Sequence, residues 1–346
     1  MQWQDKIKVI APLKRRLRCP ALLCLLLSVL LSQGSIAAIQ STTPLANADE
    51  MKQAALFGQS WQDLQQLSSD EMAGRSSGSQ GSVLAQQYLQ QRFAELGLAN
   101  FADNYRQPFR YHLGFTEQHG VNLIGLKQGC RYPDLYIVVT AHYDHLKPQG
   151  KRIYNGADDN ASGVAGMLYL AAMLQQQCPA YSYLFVATDA EEHGLDGAKA
   201  FLAQPPVSPA KMVLNINLDM IGRGERNNKL YLLGKRSLPV ILQMPRTEKN
   251  GVRLVLASDR RPESRGSASV DWSNASDHGV FRRAGIPYLY FGVDIHADYH
   301  SPSDDWLRID AGFFQAALSQ ITATVLWLEQ QSPAQLQYPR KSTKLN

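Results

Sequence analysis

The chain has 346 residues, 45% of them hydrophobic and 19% charged, enough for one large globular domain or two small ones and too apolar for a disordered chain. Its formal charge of +5 is unevenly placed: the first 37 positions carry Lys6, Lys8, Lys14, Arg15, Arg16 and Arg18 against Asp5 alone, and the remainder holds 29 basic and 29 acidic residues. A neutral remainder removes the electrostatic support for binding nucleic acid or an acidic membrane.

Residues 1–37 read as an export signal: a basic start, an apolar run over 21–31, then Ser35-Ile36-Ala37 and Ala38 as small residues suited to cleavage. The run falls short of the roughly 20 residues a spanning helix takes, so no stable membrane span is expected after cleavage, a retained anchor being the alternative. Cys24 lies inside the run rather than after it, unlike a lipoprotein signal. The expected location is periplasmic or extracellular. Residues 38–346 contain no internal repeat and no long low-complexity linker.

Helical apolar spacing is predicted over 48–67 and 82–97, the second from Leu84, Tyr88, Leu89, Phe93, Leu96 and Leu98 with Gly97 as its stop. Between them, Gly74-Arg75-Ser76-Ser77-Gly78-Ser79-Gln80-Gly81 has loop composition. Strand-like runs at 136–140, 183–188 and 213–218 then alternate with helical ones at 163–176 and 195–203. One more strand at 286–291 and a final helix at 310–330 follow. This alternation predicts an α/β single domain with a mostly parallel, mixed central sheet flanked by helices. Ligands of such folds bind outside the carboxyl ends of the strands. Cys130 and Cys178 each precede a strand by a few residues; if those strands are parallel neighbours, the cysteines share an edge and can form a disulfide, two unpaired thiols being the alternative.

The chemistry-bearing residues fall at those strand ends. His142 and Asp144 follow the first strand two positions apart, so in an extended chain they face the same side, and the carboxylate can orient the imidazole. His-x-Asp alone is more often a hydrogen-bonded pair than a metal site. His145 has the odd spacing that turns it away, and it is not expected in the site. Asn155-Gly156-Ala157-Asp158-Asp159-Asn160 is a glycine-bearing loop running into a helix, from which Asp159 can offer two carboxylate oxygens to two cations. A helix cap is the plainer reading of that loop taken alone, and no Gly-Lys-Ser/Thr follows to make it a phosphate loop. Glu191 and Glu192 stand side by side after the next strand, where like charges repel unless a cation or proton intervenes. Asp219 ends the third strand, and His300 lies in Asp298-Tyr299-His300-Ser301-Pro302-Ser303-Asp304. Together these residues form the inventory of a two-metal hydrolase.

From about residue 67 to 327 these motifs, with Gly74-Arg75, Asp219-Met220-Ile221-Gly222-Arg223, Ser276-Asp277-His278 and Tyr299-His300-Ser301-Pro302, resemble the M28 family of zinc peptidases, the bacterial leucyl-type aminopeptidases and their relatives. The resemblance implies an M28-like metallopeptidase domain over 38–346. It implies that His142 and Asp219 hold one Zn2+ and Glu192 and His300 a second, with Asp159 bridging and Asp144 orienting His142. Glu191 would be the general base on a zinc-bridging water. Oxygen and imidazole donors also suit Mn2+ or Co2+. The implied partners are peptide substrates with a free N-terminus.

Two relatives are rival readings: a glutaminyl cyclase-like acyltransferase, which works with one zinc ion, and a catalytically silent binding domain of the same fold, which usually loses ligands or the base. Two-domain M20-type enzymes carry a large insertion, for which the 80 positions between Asp219 and His300 leave little room. The substrate pocket is expected to be walled by the segment 224–272, including Arg260-Arg261 and Gly266-Ser267-Ala268-Ser269, together with Asp277, His278, Phe291 and Tyr299.

Overall fold

The computed structural model describes residues 48–101, 103–224, 228–245, 248–261 and 270–336. The expected signal at 1–37 and the part of the expected pocket wall at 262–269 lie outside the described residues. In chain order the elements begin with helices α1 (Ala48–Leu67) and α2 (Gln80–Glu95), then strands β1 (Arg106–Leu113), β2 (Thr116–Lys127) and β3 (Tyr132–His142). Next come α3 (Gly163–Gln175), β4 (Tyr181–Thr188), α4 (Asp196–Ala203), β5 (Met212–Leu218) and β6 (Lys229–Leu233). Three short strands follow, β7 (Glu248–Lys249), β8 (Val252–Leu256) and β9 (Arg260–Arg261), then β10 (Val270–Asp271), α5 (His278–Arg283) and β11 (Tyr288–Gly292). The last two helices are α6 (Ala311–Leu328) and α7 (Pro333–Leu336).

Nine strands form one mixed sheet in the order β1-β2-β4-β3-β5-β11-β6-β8-β7. Its centre, β4-β3-β5-β11, is parallel throughout, and antiparallel strands flank it on both sides. Every residue of β4, β5 and β11 is buried, as continuous apolar runs in a sheet covered on both faces require. Alternation sorts their side chains between two layers. Ile137, Val139, Tyr183 and Phe185 pack with α1, α2, α3 and α6, whereas Val138, Leu184 and Val186 pack with Ala198 and Phe201 of α4 and Phe281 of α5. Helix α6 is apolar and long enough to cross a membrane, but Phe313, Phe314, Leu318, Ile321 and Val325 are core residues of the first layer. The sheet edges differ from the sequence reading, which anticipated the central strands but not β1, β2, β6 or β8.

Polar side chains inside the sheet bond to one another, although Asn215 Oδ1 is buried without a partner. Thr140 Oγ1 donates to Asn217 Oδ1 (2.7 Å) and accepts from Asn215 Nδ2 (3.0 Å), while Asn217 Nδ2 donates to Ser276 Oγ (2.7 Å). Because an unsatisfied buried polar group costs about 1–3 kcal/mol, these bonds hold β3 and β5 in register next to the ends that carry His142 and Asp219. The parallel pairing of β3 with β4 also brings Cys130 and Cys178 to one edge, where a disulfide joins them with their Cα atoms 5.8 Å apart.

Candidate metal centre

The three inner strands each stop at a would-be ligand. Strand β3 ends on His142, Asp219 is the residue after β5, and Glu191 and Glu192 follow β4 through Ala190, whose positive φ of 56° turns the chain across the strand ends. Asp159 comes from the loop between β3 and α3, and His300 from the loop after β11. The structure brings all of them together. His142 Nε2 lies 3.4 Å from Asp159 Oδ1 and 3.5 Å from Asp219 Oδ1. His300 Nε2 lies 3.2 Å from Asp159 Oδ2 and 3.2 Å from Glu192 Oε2. Asp159 therefore presents one carboxylate oxygen to each of two donor groups.

The groups have a composition the sequence did not fully foresee. His142, Glu191 and Asp219 offer donor atoms within 4.8 Å of one another, and so do His145, Asp159 and Glu192. His145, expected to point away, is buried in the cluster with Nδ1 2.8 Å from Glu192 Oε1. The parity argument fails because the extended strand ends at His142, so odd and even positions no longer mark opposite sides beyond it. Asp144 also differs in detail. His142 Nδ1 donates to the Asp144 backbone carbonyl at 3.1 Å, whereas the Asp144 carboxylate stands 3.7 Å away and accepts the backbone N–H of Glu191 at 3.0 Å. The carboxylate thus fixes the position of the Glu191–Glu192 turn at least as directly as the imidazole.

The donor set fits small divalent cations. Nitrogen and oxygen atoms converge from both sides on Asp159, and Asp159 Oδ2 is buried without a hydrogen bond, its near neighbours being the imidazoles of His300 and His145. Among themselves these side chains share charge through protons. Burial opposes a charged His142, but Glu191 and Asp219 outweigh it and raise the imidazole well above its usual range. Burial lifts Glu191 well above the ordinary carboxylate range, with Asp219 and Asp277 adding to it against His142, and burial raises Asp219 as well. The other group has the opposite sign. Burial and Asp159 push Glu192 up, yet His145 and His300 pull it down to about 2, and Asp159 is held well below its usual range against its burial by His145, His142 and His300.

Beneath the cluster lies a cation whose role the sequence reading did not identify. Arg75 is fully buried and gives all its bonds to backbone carbonyls: Nε to Tyr143 (2.7 Å), Nη1 to Asn155 (2.7 Å) and to Leu67, and Nη2 to Gly156 (3.0 Å). It ties the start of the loop between β3 and α3, at Tyr143, to Asn155 and Gly156 farther along the same loop, just before Asp159. Burial lowers its pKa to about 10 while Asp144 and Asp159 act in the other direction, so it remains a cation at neutral pH. Gly74 must precede it, because φ is +77° there and a Cβ would lie 2.2 Å from the Leu146 carbonyl oxygen.

A cavity opens over the first group, lined by His142, Asp159, Glu191 and Asp219 on its floor and by Met220, Trp272, Ala275, Tyr290, Val293, Ile295 and Tyr299 on its walls. Of the expected pocket residues, Tyr299 lines it, and so does Trp272 at the end of the expected wall segment 224–272. Asp277, His278 and Phe291 do not: each is buried behind the wall. Phe291 follows Tyr290 in β11, so alternation sends it to the other face of the sheet. Asp277 accepts the Thr188 hydroxyl, and burial raises its pKa to about 6. His278 is clasped between the rings of Tyr288 and Tyr290 and holds the Trp272 carbonyl through Nε2 at 2.9 Å. It supports the wall through Trp272, whose ring the sequence reading had not singled out.

Comparison with known proteins follows the same lines. The model of peptidase family M28 matches residues 122–325, more than half of the chain. Aminopeptidase YwaD of Bacillus subtilis is 30% identical over 224 residues, which cover 61% of this chain and 45% of YwaD. The alkaline phosphatase isozyme conversion protein of Escherichia coli is 26% identical over 234 residues, covering 62% of this chain and 66% of that protein. The chain thus spans between about half and two thirds of the length of these curated relatives. Among solved structures, the zinc aminopeptidase BSAP of Bacillus subtilis is similar with a TM-score of 0.62 at 17% identity, covering 82% of this chain and 98% of its own. An aminopeptidase from Aneurinibacillus sp. strain AM-1 gives 0.61 at 16% identity, with 79% and 93% covered. Glutaminyl cyclase of Porphyromonas gingivalis gives 0.60 at 20% identity, with 79% and 98% covered. At such identities the likeness concerns the fold, which an aminopeptidase and a cyclase both use.

Proposed function

The chain belongs to peptidase family M28, and on that premise we propose that it is an exported two-metal aminopeptidase that removes single residues from peptides with a free N-terminus. The observation that carries the reading is the division of Asp159: Oδ1 faces His142, whose imidazole also meets Asp219, and Oδ2 faces His300, whose imidazole also meets Glu192. A site for one cation has no need of a carboxylate split in this way. His142 and Asp219 would hold one ion, Glu192 and His300 the other, and Asp159 both. Zinc is the ion we assign, on the strength of the relatives' names and the nitrogen and oxygen donors.

What two such ions supply when bound is Lewis acidity toward the scissile carbonyl and a lowered pKa for water. The chain's own part is proton handling and positioning. Glu191, at the cavity floor, accepts a proton from the attacking water as the water oxygen bonds to the carbonyl carbon. It returns that proton to the amine nitrogen as the C–N bond breaks. Asp144 fixes the backbone of Glu191, and Arg75 fixes both ends of the loop between β3 and α3. The wall formed by Met220, Trp272, Tyr290, Val293 and Ile295 supports an uncharged, apolar side chain in the leaving residue.

The test is mass spectrometry of a mixed peptide library incubated with the mature chain from Ala38, with N-acetylated copies included, in the presence and absence of a chelator. Chelator-sensitive loss of single residues from free N-termini alone is the expected result. Cyclised N-terminal glutamine would replace the aminopeptidase with a cyclase, and an untouched library from metal-loaded protein would leave a binding role for this fold.

A further inference from the structure

His145 has no part in the mechanism above, yet it is one of the most enclosed groups of the centre. Its side chain is 0% exposed, and Nδ1 lies 2.8 Å from Glu192 Oε1 and 3.7 Å from Asp159 Oδ2. Its ring makes an edge contact with that of His300, their centroids 5.7 Å apart. Space has been made for it: Gly156 has φ +54°, and a Cβ there would stand 2.5 Å from the His145 ring. The remaining nitrogen, Nε2, is buried with no hydrogen-bond partner among the described residues.

These contacts separate two roles for the ring. An imidazole that ligates a metal ordinarily gives its other N–H to a carboxylate or carbonyl, which fixes its tautomer. His142 follows that pattern, with Nε2 toward the carboxylates and Nδ1 on the Asp144 carbonyl. His145 does not, because ligation through Nδ1 would leave the proton on Nε2, as a buried N–H with nothing to receive it, and such orphaned donors are rare. The other tautomer places the proton on Nδ1, directed at Glu192 Oε1. Oε1 is then occupied, and the second oxygen, Oε2, is the one left facing His300 Nε2 at 3.2 Å.

We propose that His145 is a positioning residue for the second metal: it donates Nδ1–H to Glu192 Oε1 and so presents Oε2 alone to the ion held with His300 and Asp159. The assignment rests on the two-metal reading given above. It makes His145 the counterpart, on the second ion's side, of the Asp144 carbonyl that fixes His142 on the first. It also predicts an effect confined to one of two ions, which a merely structural residue would not have.

The experiment is a zinc titration of the metal-stripped mature chain against a competing chelator, for the unaltered protein, His145→Ala and His145→Asn, with thermal unfolding as the check on folding. The unaltered chain should bind two ions. His145→Ala should bind the first as before and the second about 10- to 100-fold more weakly, the usual loss when a ligand's partner is removed. His145→Asn, whose side-chain amide nitrogen can stand in for Nδ1–H, should recover most of that loss. Unchanged affinity for both ions in His145→Ala, or equal weakening of both, overturns the assignment while leaving the two-metal reading intact. So does an Asn variant as weak as the Ala variant, which would mark the ring as a direct ligand. Uptake of one ion or none by the unaltered chain overturns the two-metal reading itself, and this assignment with it.

Discussion

The two ends of the same four parallel strands solve opposite problems. At the amino end polar groups are matched locally. Glu329 accepts from the Ala180 N–H and from the Tyr183 hydroxyl (2.6 Å), Ser182 Oγ donates to the Pro133 carbonyl (2.7 Å), and Cys130 is bonded to Cys178. At the carboxyl end, carboxylates and imidazoles crowd together, and Asp144 Oδ2, His145 Nε2 and Asp277 Oδ1 are buried without a hydrogen-bond partner. One end is built to hold the fold and the other to hold something else. The contrast teaches that frustration gathers at the carboxyl end: the buried β3–β5 network of Thr140, Asn215 and Asn217 lies between the two ends, and of its side-chain atoms Asn215 Oδ1 alone is without a partner. Stability and chemistry should therefore respond to different substitutions.

The sharpest way to break that contrast is Glu191→Gln. Loss of a general base should lower kcat by about 100- to 10,000-fold, with both ions retained and no loss of thermal stability, because the amide removes an anion that burial already disfavours. Kinetics and metal analysis on one preparation check it. Loss of an ion from the variant would instead make Glu191 a ligand beside His142 and Asp219.

Metal removal should act on stability instead of on rate alone. At free ion concentrations a thousandfold above Kd, each ion adds about 4 kcal/mol to the folded state, so thermal unfolding with and without a chelator should differ by many degrees. A chelator without effect on unfolding would mean that the carboxyl end holds no ion in the native protein.

At the other end, paired Cys130→Ser and Cys178→Ser changes open a bridge that spans 48 positions, and chain entropy puts the loss at about 4 kcal/mol. Denaturant unfolding measures it, and kcat of the folded fraction should not move. A large fall in kcat would show that the two ends are coupled.

The smallest effect concerns pH. Burial lowers His278 to about 4, well under the 6.5 expected in the unfolded chain, so the unfolded state binds the extra proton between those values. The stability this neutral histidine contributes is complete above pH 6.5 and is lost as pH falls through about 4, by about 3 kcal/mol in all. His278→Gln, which keeps a donor for the Trp272 carbonyl, should flatten that part of the stability profile. An unchanged slope would place the titrating group elsewhere.

Much of this arrangement was legible in the sequence because it follows continuous apolar runs. Strands buried on both faces announce themselves, and a charged residue directly after such a run stands at the sheet's carboxyl edge, as His142, Asp219 and the Glu191–Glu192 pair do. Strand β1 gave no such signal: Arg106-Gln107-Pro108-Phe109-Arg110-Tyr111-His112-Leu113 is partly exposed and interrupted by proline, as an edge strand can be and a central one cannot. Period-2 reasoning explains Phe291 against Tyr290 once β11 is placed in register, but it misled at His145, where the strand had already ended. Arg75 was the hardest to read, since its partners are carbonyls, and carbonyls are the same at every residue.

That last point bears on where this catalytic unit can be cut. The family match begins at residue 122, and a chain trimmed to it would keep His142, Asp144, Asp159, Glu191, Glu192, Asp219 and His300. It would lose Arg75, and with it the donor that the carbonyls of Tyr143, Asn155 and Gly156 share. The Gly156 carbonyl would keep the Ala161 N–H, but a buried carbonyl left unpaired at Tyr143 or Asn155 costs about 1–3 kcal/mol, and the two ends of the loop between His142 and Asp159 would be free to part. A fragment that keeps this donor and its bond to Leu67 must reach back through the Gly74–Arg75 turn at least to the end of α1, well upstream of the first residue that touches the chemistry.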